Sequence, residues 1–369
     1  MSQASLPSTS FAERFGLRLP LVQAPMAGAT SAAIVAAASN AGALGSLGGA
    51  GFAPERLAAE IEAIRAATSR PFAVNLFVLD EARPDDATVR RALAAIDPLR
   101  ARLGLPAGAP LARYAPDFDA QLEVLVAARV PVASFTFGLL DAAQVARLHA
   151  AGCYVIGTAT HVAEGLAWRE AGADAISAQG AEAGGHRGTF LGAAEDALIG
   201  TVALVPQLVD ATGLPVLAAG GIMDGRGIAA ALALGAQAAQ LGTAFLGCAE
   251  ATIPAAWRER LATSADTATV VTRAISGRHA RGIRNALIDA LGARPDAIAP
   301  YPVQNALTQE LRQAAGRAGE ADYLSLWAGQ GVPLGRRRVD GGGELTAAAL
   351  IDALDAEWRT AVARFAPGR

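Results

Sequence analysis

The densest group of side chains capable of chemistry lies between Ser177 and Phe190, in the segment SAQGAEAGGHRGTF. The segment combines one amide, one carboxyl, one imidazole and one guanidinium with four glycines. A neutral imidazole can accept or donate a proton near physiological pH, and an adjacent arginine favours a bound anion. We therefore interpret His186 as a candidate catalytic residue with Arg187 as its cationic neighbour. The alternative is that His186 is a hydrogen-bonded structural residue of a loop.

Few other residues could act as nucleophiles, bases or metal ligands. His149 falls on the polar face of a predicted helix, His161 at the start of another, and His279 in SGRHARG, at the surface or near a ligand. No histidine pair has metal-ligand spacing, so we predict no metal site. Cys153 and Cys248 lie in apolar segments, which indicates buried structural thiols. All 31 basic residues are arginine, and the absence of lysine excludes Schiff-base catalysis and a P-loop.

Two glycine-containing segments predict a phosphate site. They are LAAGGI, residues 217–222, and AQLGTAFL, residues 239–246. Paired glycines bring bare main-chain N–H groups to an anion, and the loops after the last two strands of a barrel commonly bind phosphate. The alternative is that Gly220 and Gly221 only make a tight turn.

Amide side chains in apolar segments indicate a polar ligand ring. Asn75 interrupts the run FAVNLFVL, and Gln179 and Gln240 lie in similar positions. A buried amide must be hydrogen-bonded, either to a ligand or to a structural partner. One histidine without a metal or a nucleophile is too little for difficult chemistry, whereas a phosphate-bearing cofactor would supply it. FMN fits, with its ring near Asn75 and Gln179 and its phosphate on the two glycine segments.

Eight short apolar segments alternate with helical patterns, which is typical of a (β/α)8 TIM barrel, an α/β fold. An open doubly wound sheet is the competing fold, because periodicity cannot show that the eighth strand pairs with the first. In a barrel, active sites lie at the C-terminal ends of the strands. The predicted strands are 21–26, 43–47, 72–78, 132–137, 154–158, 175–178, 216–219 and 239–246, with helices at 31–40, 54–68, 118–128, 142–151, 162–171, 197–211 and 227–234.

The chain divides into three predicted regions. Residues 1–250 form the FMN-binding barrel, with an insertion at about 80–116 after the third strand. Residues 251–345 form a helical cap near the substrate, with helical segments around 285–291, 305–315 and 321–326. Residues 346–369 form a C-terminal helix, regular to about Phe365, that packs back on the barrel.

Composition limits the class of protein, its partners and its location. Hydrophobic residues make up 52% of the 369 residues and the net charge is −3, which predicts a large core and argues against a nucleic-acid or acidic-membrane surface.

Residues 19–54 carry no charge and could span a bilayer by length, but Pro20, Pro25 and Asn40 divide them into a strand, a helix and a strand. The first 16 residues lack a basic region followed by an apolar run, so we expect no signal peptide and a cytoplasmic protein.

Seven segments, in order along the chain, resemble the class I FMN-dependent nitronate monooxygenases, once called 2-nitropropane dioxygenases. The likeness runs from about Leu17 through the WAGQG of the C-terminal region. AGGHRG by itself is shared with FMN-dependent enoyl reductases, so the whole ordered set carries the resemblance. The segments are LVQAPMAGATS, PFAVNLFV, SFTFG, AQGAEAGGHRGTF, PVLAAGGI, QLGTAFL and ISGRHARGIRN.

The resemblance implies roles for individual residues. His186 would be the catalytic residue, and Tyr301 would lie near the substrate. Where some relatives have further tyrosines and a lysine, this chain has Asn305 and Gln309, a difference that bears on substrate preference. Contacts to FMN would come from Asn75, Gln179 and Gly184, with Pro25 and Met26 near its ring, and its phosphate end would be held by Gly221, Gln240, Leu241, Gly242 and Thr243.

The implied reaction is oxidation of an anionic alkyl nitronate, such as propionate 3-nitronate, by O2 to a carbonyl compound and nitrite or nitrate. His186 would hydrogen-bond the nitronate and act as a base toward a neutral nitroalkane, with Arg187 as a supporting charge. Two alternatives stay open: an NAD(P)H-dependent FMN reductase of quinones or enoyl thioesters, and a flavin- or phosphate-binding protein without turnover. The sequence does not indicate the oligomeric state.

Overall fold

Eight parallel strands close into a barrel, as the computed structural model shows for the described residues 8–336, 338 and 343–364. The first and last barrel strands pair, with Leu21 opposite Ala239 and Gln23 opposite Leu241. This pairing confirms the TIM barrel and excludes the open sheet. The strands, in barrel order, are β1 (Leu21–Gln23), β2 (Leu44–Gly48), β3 (Phe72–Phe77), β4 (Val132–Thr136), β5 (Tyr154–Ala159), β6 (Ala175–Gln179), β8 (Val216–Ala219) and β9 (Ala238–Leu241).

The last barrel strand is shorter than predicted. β9 ends at Leu241, and the residues predicted to continue it form a short helix, Thr243–Leu246. A short apolar run such as TAFL does not distinguish a strand from a buried helix by periodicity, and Ala244, Phe245 and Leu246 are all buried here. The prediction of a strand over 239–246 is therefore wrong after Leu241.

Helices connect the strands and cover the barrel. Asp85, Asp117, Asp141 and Asp224 each accept a main-chain N–H at the start of a helix, the usual stabilising N-cap. The helices are α1 (Ser10–Phe15), α2 (Ala32–Asn40), α3 (Pro54–Ala67), α4 (Asp86–Arg102), α5 (Phe118–Ala128), α6 (Ala142–Ala150), α7 (Val162–Ala171), α8 (Thr201–Thr212), α9 (Gly225–Ala233), α10 (Thr243–Leu246), α11 (Ala255–Thr263), α12 (Ala286–Gly292), α13 (Val303–Leu307), α14 (Gln309–Ala318) and α15 (Ala347–Ala363).

The insertion after β3 and the region after β9 share a hydrophobic core. Helix α4 of the insertion packs on α12 and α13, so that Val89, Leu93 and Ile96 lie in one cluster with Leu287 and Val303. We call the insertion and the region from α11 to α14 together the cap. Within the predicted segment 321–326, only Ala321–Tyr323 is helical, as a single 3-10 turn.

The cap also contains a small antiparallel sheet that the sequence did not predict. Its order is β10 (Thr269–Thr272), β11 (Ala280–Ile283) and β7 (Gly185–His186). β7 belongs to the loop after β6, whereas β10 and β11 come from the cap. The sheet therefore fixes the segment that carries His186 to the cap.

The opposite end of the barrel is closed by α1. Phe11 and Phe15 pack edge-on against Tyr154, at ring-centroid distances of 6.1 and 5.2 Å. Helix α15 packs on α9 and α2, burying Leu350, Leu354 and Trp358. The N-terminal and C-terminal parts of the predictions, at residues 1–7 and 365–369, lie outside the described residues.

None of the helices described is both long and apolar enough to cross a membrane. The charge-free residues 19–54 form β1, α2 and β2 with their connections, as expected from the sequence.

Candidate active site

The predicted site residues come together in a cavity at the C-terminal end of the barrel. The cavity encloses about 1270 Å³ of empty space, part of it open to solvent. Seven of the eight barrel strands, or the residues that follow them, line it; only β2 does not. This is the end of the barrel at which TIM-barrel enzymes bind their ligands.

Asn75 lies near the C-terminal end of β3 and is buried. Its Nδ2 donates to Ser134 Oγ at 3.0 Å and to Thr136 Oγ1 at 3.3 Å, both on the neighbouring strand β4. None of the described residues donates to its side-chain oxygen, and the residue lines the cavity. Asn75 can therefore offer an acceptor to a ligand while β4 fixes its orientation.

His186 lies in β7, where Ala280 of β11 pairs with it. Four aromatic rings surround its imidazole, with centroids 6.2 Å away for Phe77, 5.6 Å for Phe137, 5.5 Å for Tyr301 and 5.3 Å for Trp327. Its Nε2 atom is buried and has no hydrogen-bond partner among the described residues. Because His186 also lines the cavity, Nε2 is a polar atom that a ligand could satisfy.

The surroundings of His186 favour a neutral imidazole. Burial among the aromatic rings lowers its pKa to about 3, and the positive charges of Arg278 and Arg312 act in the same direction. Desolvation disfavours the charged form, and like charges do the same. In the free protein His186 is therefore neutral throughout the physiological pH range.

Gln179, at the end of β6, holds the loop that carries His186. Its Nε2 donates to the main-chain oxygen of His186 at 2.9 Å, and its Oε1 accepts from Gly188 N at 2.8 Å. The residue also lines the cavity. Both ends of the amide are therefore already used within the protein, and any contact with a cofactor is additional to this positioning role.

Glycines form a cradle on the side of the cavity opposite Asn75. A Cβ atom on Gly184 would lie 2.5 Å from the main-chain atoms Ala328 C and Gly329 N, so only glycine allows this close approach. Gly220 and Gly221 have positive φ angles of 131° and 71°, which glycine adopts readily. Thr243 Oγ1 accepts from Gly329 N at 2.9 Å and completes this wall.

The predicted phosphate-end residues are mostly in this cradle. Gly221, Gln240, Gly242 and Thr243 line the cavity. Leu241 does not line it: this residue is fully buried in the barrel, and its main-chain oxygen accepts from Ala24 N. Pro25 and Met26, predicted to lie near a flavin ring, line the cavity on the β1 side.

Arg187 does not face the cavity, contrary to its expected role beside a bound anion. Its side chain is 1% exposed and donates to three main-chain oxygens: Gly180 at 2.6 Å, Gln179 at 3.0 Å and Ala197 at 3.1 Å. These hydrogen bonds hold the guanidinium against the main chain, away from the cavity. The arginine that approaches the aromatic wall is instead Arg278, whose guanidinium carbon lies 4.1 Å from the centre of the Phe137 ring.

Several cavity residues were not singled out from the sequence. Ser177 Oγ and Trp257 Nε1 are buried without partners among the described residues, and both residues line the cavity. Trp327 and Gly329, which also line the cavity, come from the WAGQG segment. The family resemblance includes this segment but implies no role for it. Its two glycines were the signal available, because close main-chain approach is a common reason for glycine near a ligand.

The residues that the resemblance links to the substrate do not themselves line the cavity. Tyr301 contacts the His186 imidazole, and burial raises its pKa. Asn305 is hydrogen-bonded by Arg312, which donates to its main-chain oxygen at 2.8 Å and to its Oδ1 at 3.0 Å. Gln309 is exposed at the start of α14. Neither Asn305 nor Gln309 lines the cavity.

The remaining candidates have structural environments. His149 bonds Asp174 at 2.9 Å, and His279 lies 3.0 Å from Glu195. Cys153 and Cys248 are buried, and burial raises the pKa of both thiols, to about 12 for Cys248. In the described part of the chain no group of three or more histidine, cysteine or carboxylate side chains could hold a metal ion.

The chain is similar in sequence and structure to several known proteins. The family model described as nitronate monooxygenase matches residues 9–354. A probable nitronate monooxygenase of Staphylococcus aureus strain Newman is 40% identical over 319 residues, which cover 86% of this chain and 90% of the relative. The crystal structure of a nitroalkane oxidase from Streptomyces ansochromogenes is 40% identical with a TM-score of 0.88, covering 96% of this chain and all of the other. FabK from Thermotoga maritima is 26% identical with a TM-score of 0.75, covering 97% and 98% of the two chains.

Proposed function

We propose, because this chain belongs to the nitronate monooxygenase family, that it oxidises alkyl nitronates of the propionate 3-nitronate type with O2. The products would be a carbonyl compound and nitrite or nitrate. Membership makes the chain an oxidoreductase and implies a flavin cofactor, for which we propose FMN.

The lining of the cavity suits both the phosphate-bearing tail and the polar ring edge of FMN. A cradle that a Cβ on Gly184 would fill, together with glycine N–H groups and Thr243, suits a phosphate-bearing tail. The free acceptor of Asn75 and the unpartnered Ser177 Oγ suit the polar edge of a ring. When bound, FMN would take electrons from the nitronate and allow O2 to complete its oxidation.

The unpartnered Nε2 of His186 is the observation that carries this proposal. It is a buried polar atom in an otherwise aromatic wall. In the tautomer with its proton on Nε2, the neutral imidazole can donate a hydrogen bond to a nitronate oxygen. A hydrogen bond to an anion at a water-poor site contributes more to binding than one between neutral groups.

The same surroundings favour a preformed nitronate over a neutral nitroalkane. A base with a pKa of about 3 removes protons poorly from carbon acids near neutral pH. The base role toward nitroalkanes, implied by the resemblance, therefore fits this site less well than binding of an anion. Two nearby guanidinium groups, those of Arg278 and Arg312, would favour the anion further.

An oxygen electrode assay of the flavin-loaded protein tests the proposal. Propionate 3-nitronate, ethylnitronate, the neutral nitroalkanes and NADH are compared side by side. We expect rapid O2 uptake with the nitronates, slow uptake with the nitroalkanes and negligible NADH oxidation. Rapid anaerobic bleaching of the flavin by NADH or NADPH would instead support the reductase alternative, and no O2 uptake with any nitronate would support a binding protein.

His186→Asn, with His149→Asn as a matched surface control, tests the assigned residue. We expect the His186 variant to keep its flavin and to lose at least tenfold in kcat/KM for nitronate, while the control stays within twofold of the wild type. Full nitronate turnover by a flavin-loaded His186→Asn protein would show that the role is assigned to the wrong residue.

A further inference from the structure

Arg278 joins two parts of the site that come from distant segments of the chain. It lies in the turn between β10 and β11, and its Nε donates to the main-chain oxygen of Arg187 at 3.2 Å. The same guanidinium donates to the main-chain oxygen of Thr189 and stacks on the Phe137 ring. One side chain therefore contacts both the main chain that follows His186 and the aromatic wall at the end of β4.

The turn that carries Arg278 is itself fixed tightly. Gly277 has a φ of 86°, and a Cβ at this position would lie 2.2 Å from Ala299 O and 2.6 Å from Tyr301 N. The main chain of the turn thus packs directly on the segment that carries Tyr301. Ser276 is fully buried beside it, and its Oγ donates to Arg278 O at 3.2 Å. Such packing leaves Arg278 little freedom to place its guanidinium elsewhere.

Phe137 is held in an unusual conformation. Its φ is 81°, in the left-handed region that a large side chain rarely adopts. The ring is buried between Phe77, with centroids 4.1 Å apart, and the guanidinium of Arg278. A guanidinium over an aromatic ring is attracted to the electron-rich face of the ring, so Arg278 helps to maintain the wall that faces His186.

The charge of Arg278 is not neutralised locally. Among the described residues no carboxylate lies within 4.0 Å of its guanidinium, whose hydrogen bonds go to main-chain oxygens. Glu164 acts on it from a greater distance, and that carboxylate already accepts hydrogen bonds from Thr160 and Leu191. A positive charge thus remains beside the aromatic wall.

We infer that Arg278 is a positioning residue for the reaction and a determinant of its preference for anionic substrates. It fixes the loop of His186 relative to Phe137, and it supplies positive potential that a nitronate experiences and a neutral nitroalkane does not. The nitronate substrate in this inference rests on the proposed function, whereas the contacts of Arg278 do not depend on it.

Substitution of Arg278 should separate the effect of its charge from the effect of its contacts. Arg278→Met removes the charge and the two hydrogen bonds, whereas Arg278→Lys keeps the charge but cannot reproduce the planar contact with two carbonyls and a ring. The charged or titratable groups that face His186 are Arg278 from the turn, Arg312 from α14 and the neutral hydroxyl of Tyr301. Removing one of the two cations should move the titration of His186 upward.

The test compares Arg278→Met, Arg278→Lys and the control Arg284→Met, an exposed arginine directly after β11. With propionate 3-nitronate, we expect kcat of the Met variant to fall at least tenfold and KM to rise at least fivefold. In the Lys variant KM should return to within about twofold of the wild type while kcat stays low. Flavin content, from absorbance, and the control variant should be unchanged.

A second readout does not depend on substrate or turnover. NMR of histidine imidazoles labelled with 13C, in the flavin-loaded protein, should show His186 titrating at higher pH in Arg278→Met than in the wild type. If Arg278→Met does not fold, Arg278→Lys is judged by its own expected result: a kcat at least tenfold lower, a KM within about twofold of the wild type and an unmoved His186 titration.

The outcomes separate this inference from the proposed function. Wild-type kinetics in the tested variant, or equal losses in Met and Lys variants with an unmoved His186 titration, would overturn it. A wild-type protein that does not oxidise nitronates would overturn the proposed function alone, because the His186 titration would still decide the position and charge of Arg278.

Discussion

Gln179 Nε2 donates a hydrogen bond of 2.9 Å to the main-chain oxygen of His186. The same amide accepts from Gly188 N, so it bridges the residues on either side of Arg187. The loop after β6 is thereby tied to the barrel strand from which it leaves. A glutamine expected to contact a cofactor thus also sets the position of the candidate catalytic histidine.

Substitution of Gln179 should therefore reduce turnover more than it reduces flavin binding. Gln179→Leu removes both hydrogen bonds and leaves a main-chain carbonyl and an N–H without partners, which corresponds to about 1 to 3 kcal/mol. We expect kcat/KM for nitronate to fall about tenfold or more. Steady-state kinetics at known flavin occupancy measure this effect, with Gln207→Leu, on the exposed face of α8, as control. Loss of flavin with normal turnover per bound flavin would contradict the positioning role.

The low pKa of His186 predicts a specific loss of stability in acid. The pKa is about 3 in the folded protein and about 6.5 in an unfolded chain. Between these values the unfolded state binds a proton that the folded state does not, so the free energy of unfolding decreases as the pH falls. The slope approaches about 1.4 kcal/mol per pH unit.

Replacing His186 by glutamine should remove this contribution. Between pH 7 and pH 4.5 we expect wild type to lose about 2 to 3 kcal/mol more stability than His186→Gln. Urea unfolding of both proteins at several pH values measures the difference, and the other three histidines cancel because both proteins contain them. Parallel pH profiles for the two proteins would show that His186 titrates normally.

The barrel could be predicted because its signals are local. Segments such as FAVNL and YVIGT are apolar and β-rich, and helices such as α6 begin at a capping aspartate. That Asn75, Gln179 and His186 lie at one end of the barrel could be predicted for the same reason, since the fold places strand ends together. Closure of the barrel depends instead on the pairing of Leu21 with Ala239, two residues far apart in the sequence.

The small sheet of the cap could not be predicted in the same way, because the pairing of β7 with β11 joins residues that are distant in sequence. β7 has only two residues and exists because β11 pairs with it. The side-chain directions of Arg187 and Arg278 depend on that pairing, and the sequence motif around His186 contains no information about which guanidinium lies on the aromatic wall. The motif therefore favours the adjacent Arg187 as the neighbour of a bound anion, although Arg278 lies on the aromatic wall.

Gly184 should tolerate no side chain without loss of the cofactor cradle. A Cβ here would meet main-chain atoms of Ala328 and Gly329 at 2.5 Å, and main chain cannot move as a flexible side chain can. We expect Gly184→Ala to weaken flavin binding at least tenfold, measured by fluorescence titration of the apoprotein. Gly51→Ala is the control, because nothing lies within 4 Å of its Cβ position. Wild-type affinity in Gly184→Ala would mean that the cavity wall at Gly329 does not hold the flavin.

Arg187 should contribute to folding and not to substrate affinity. Burial lowers its pKa to about 10, so the guanidinium remains charged at pH 7 while it donates to three main-chain oxygens. Arg187→Met removes three hydrogen bonds from a buried guanidinium to main-chain oxygens and should cost about 3 kcal/mol or more in the free energy of unfolding. Arg226→Met, at an exposed ion pair with Asp224, should cost less than about 1 kcal/mol. Urea unfolding measures both losses, and the folded fraction of Arg187→Met should keep the wild-type KM for nitronate. A stable Arg187→Met protein with a raised KM would instead place this arginine among the groups that bind the anion.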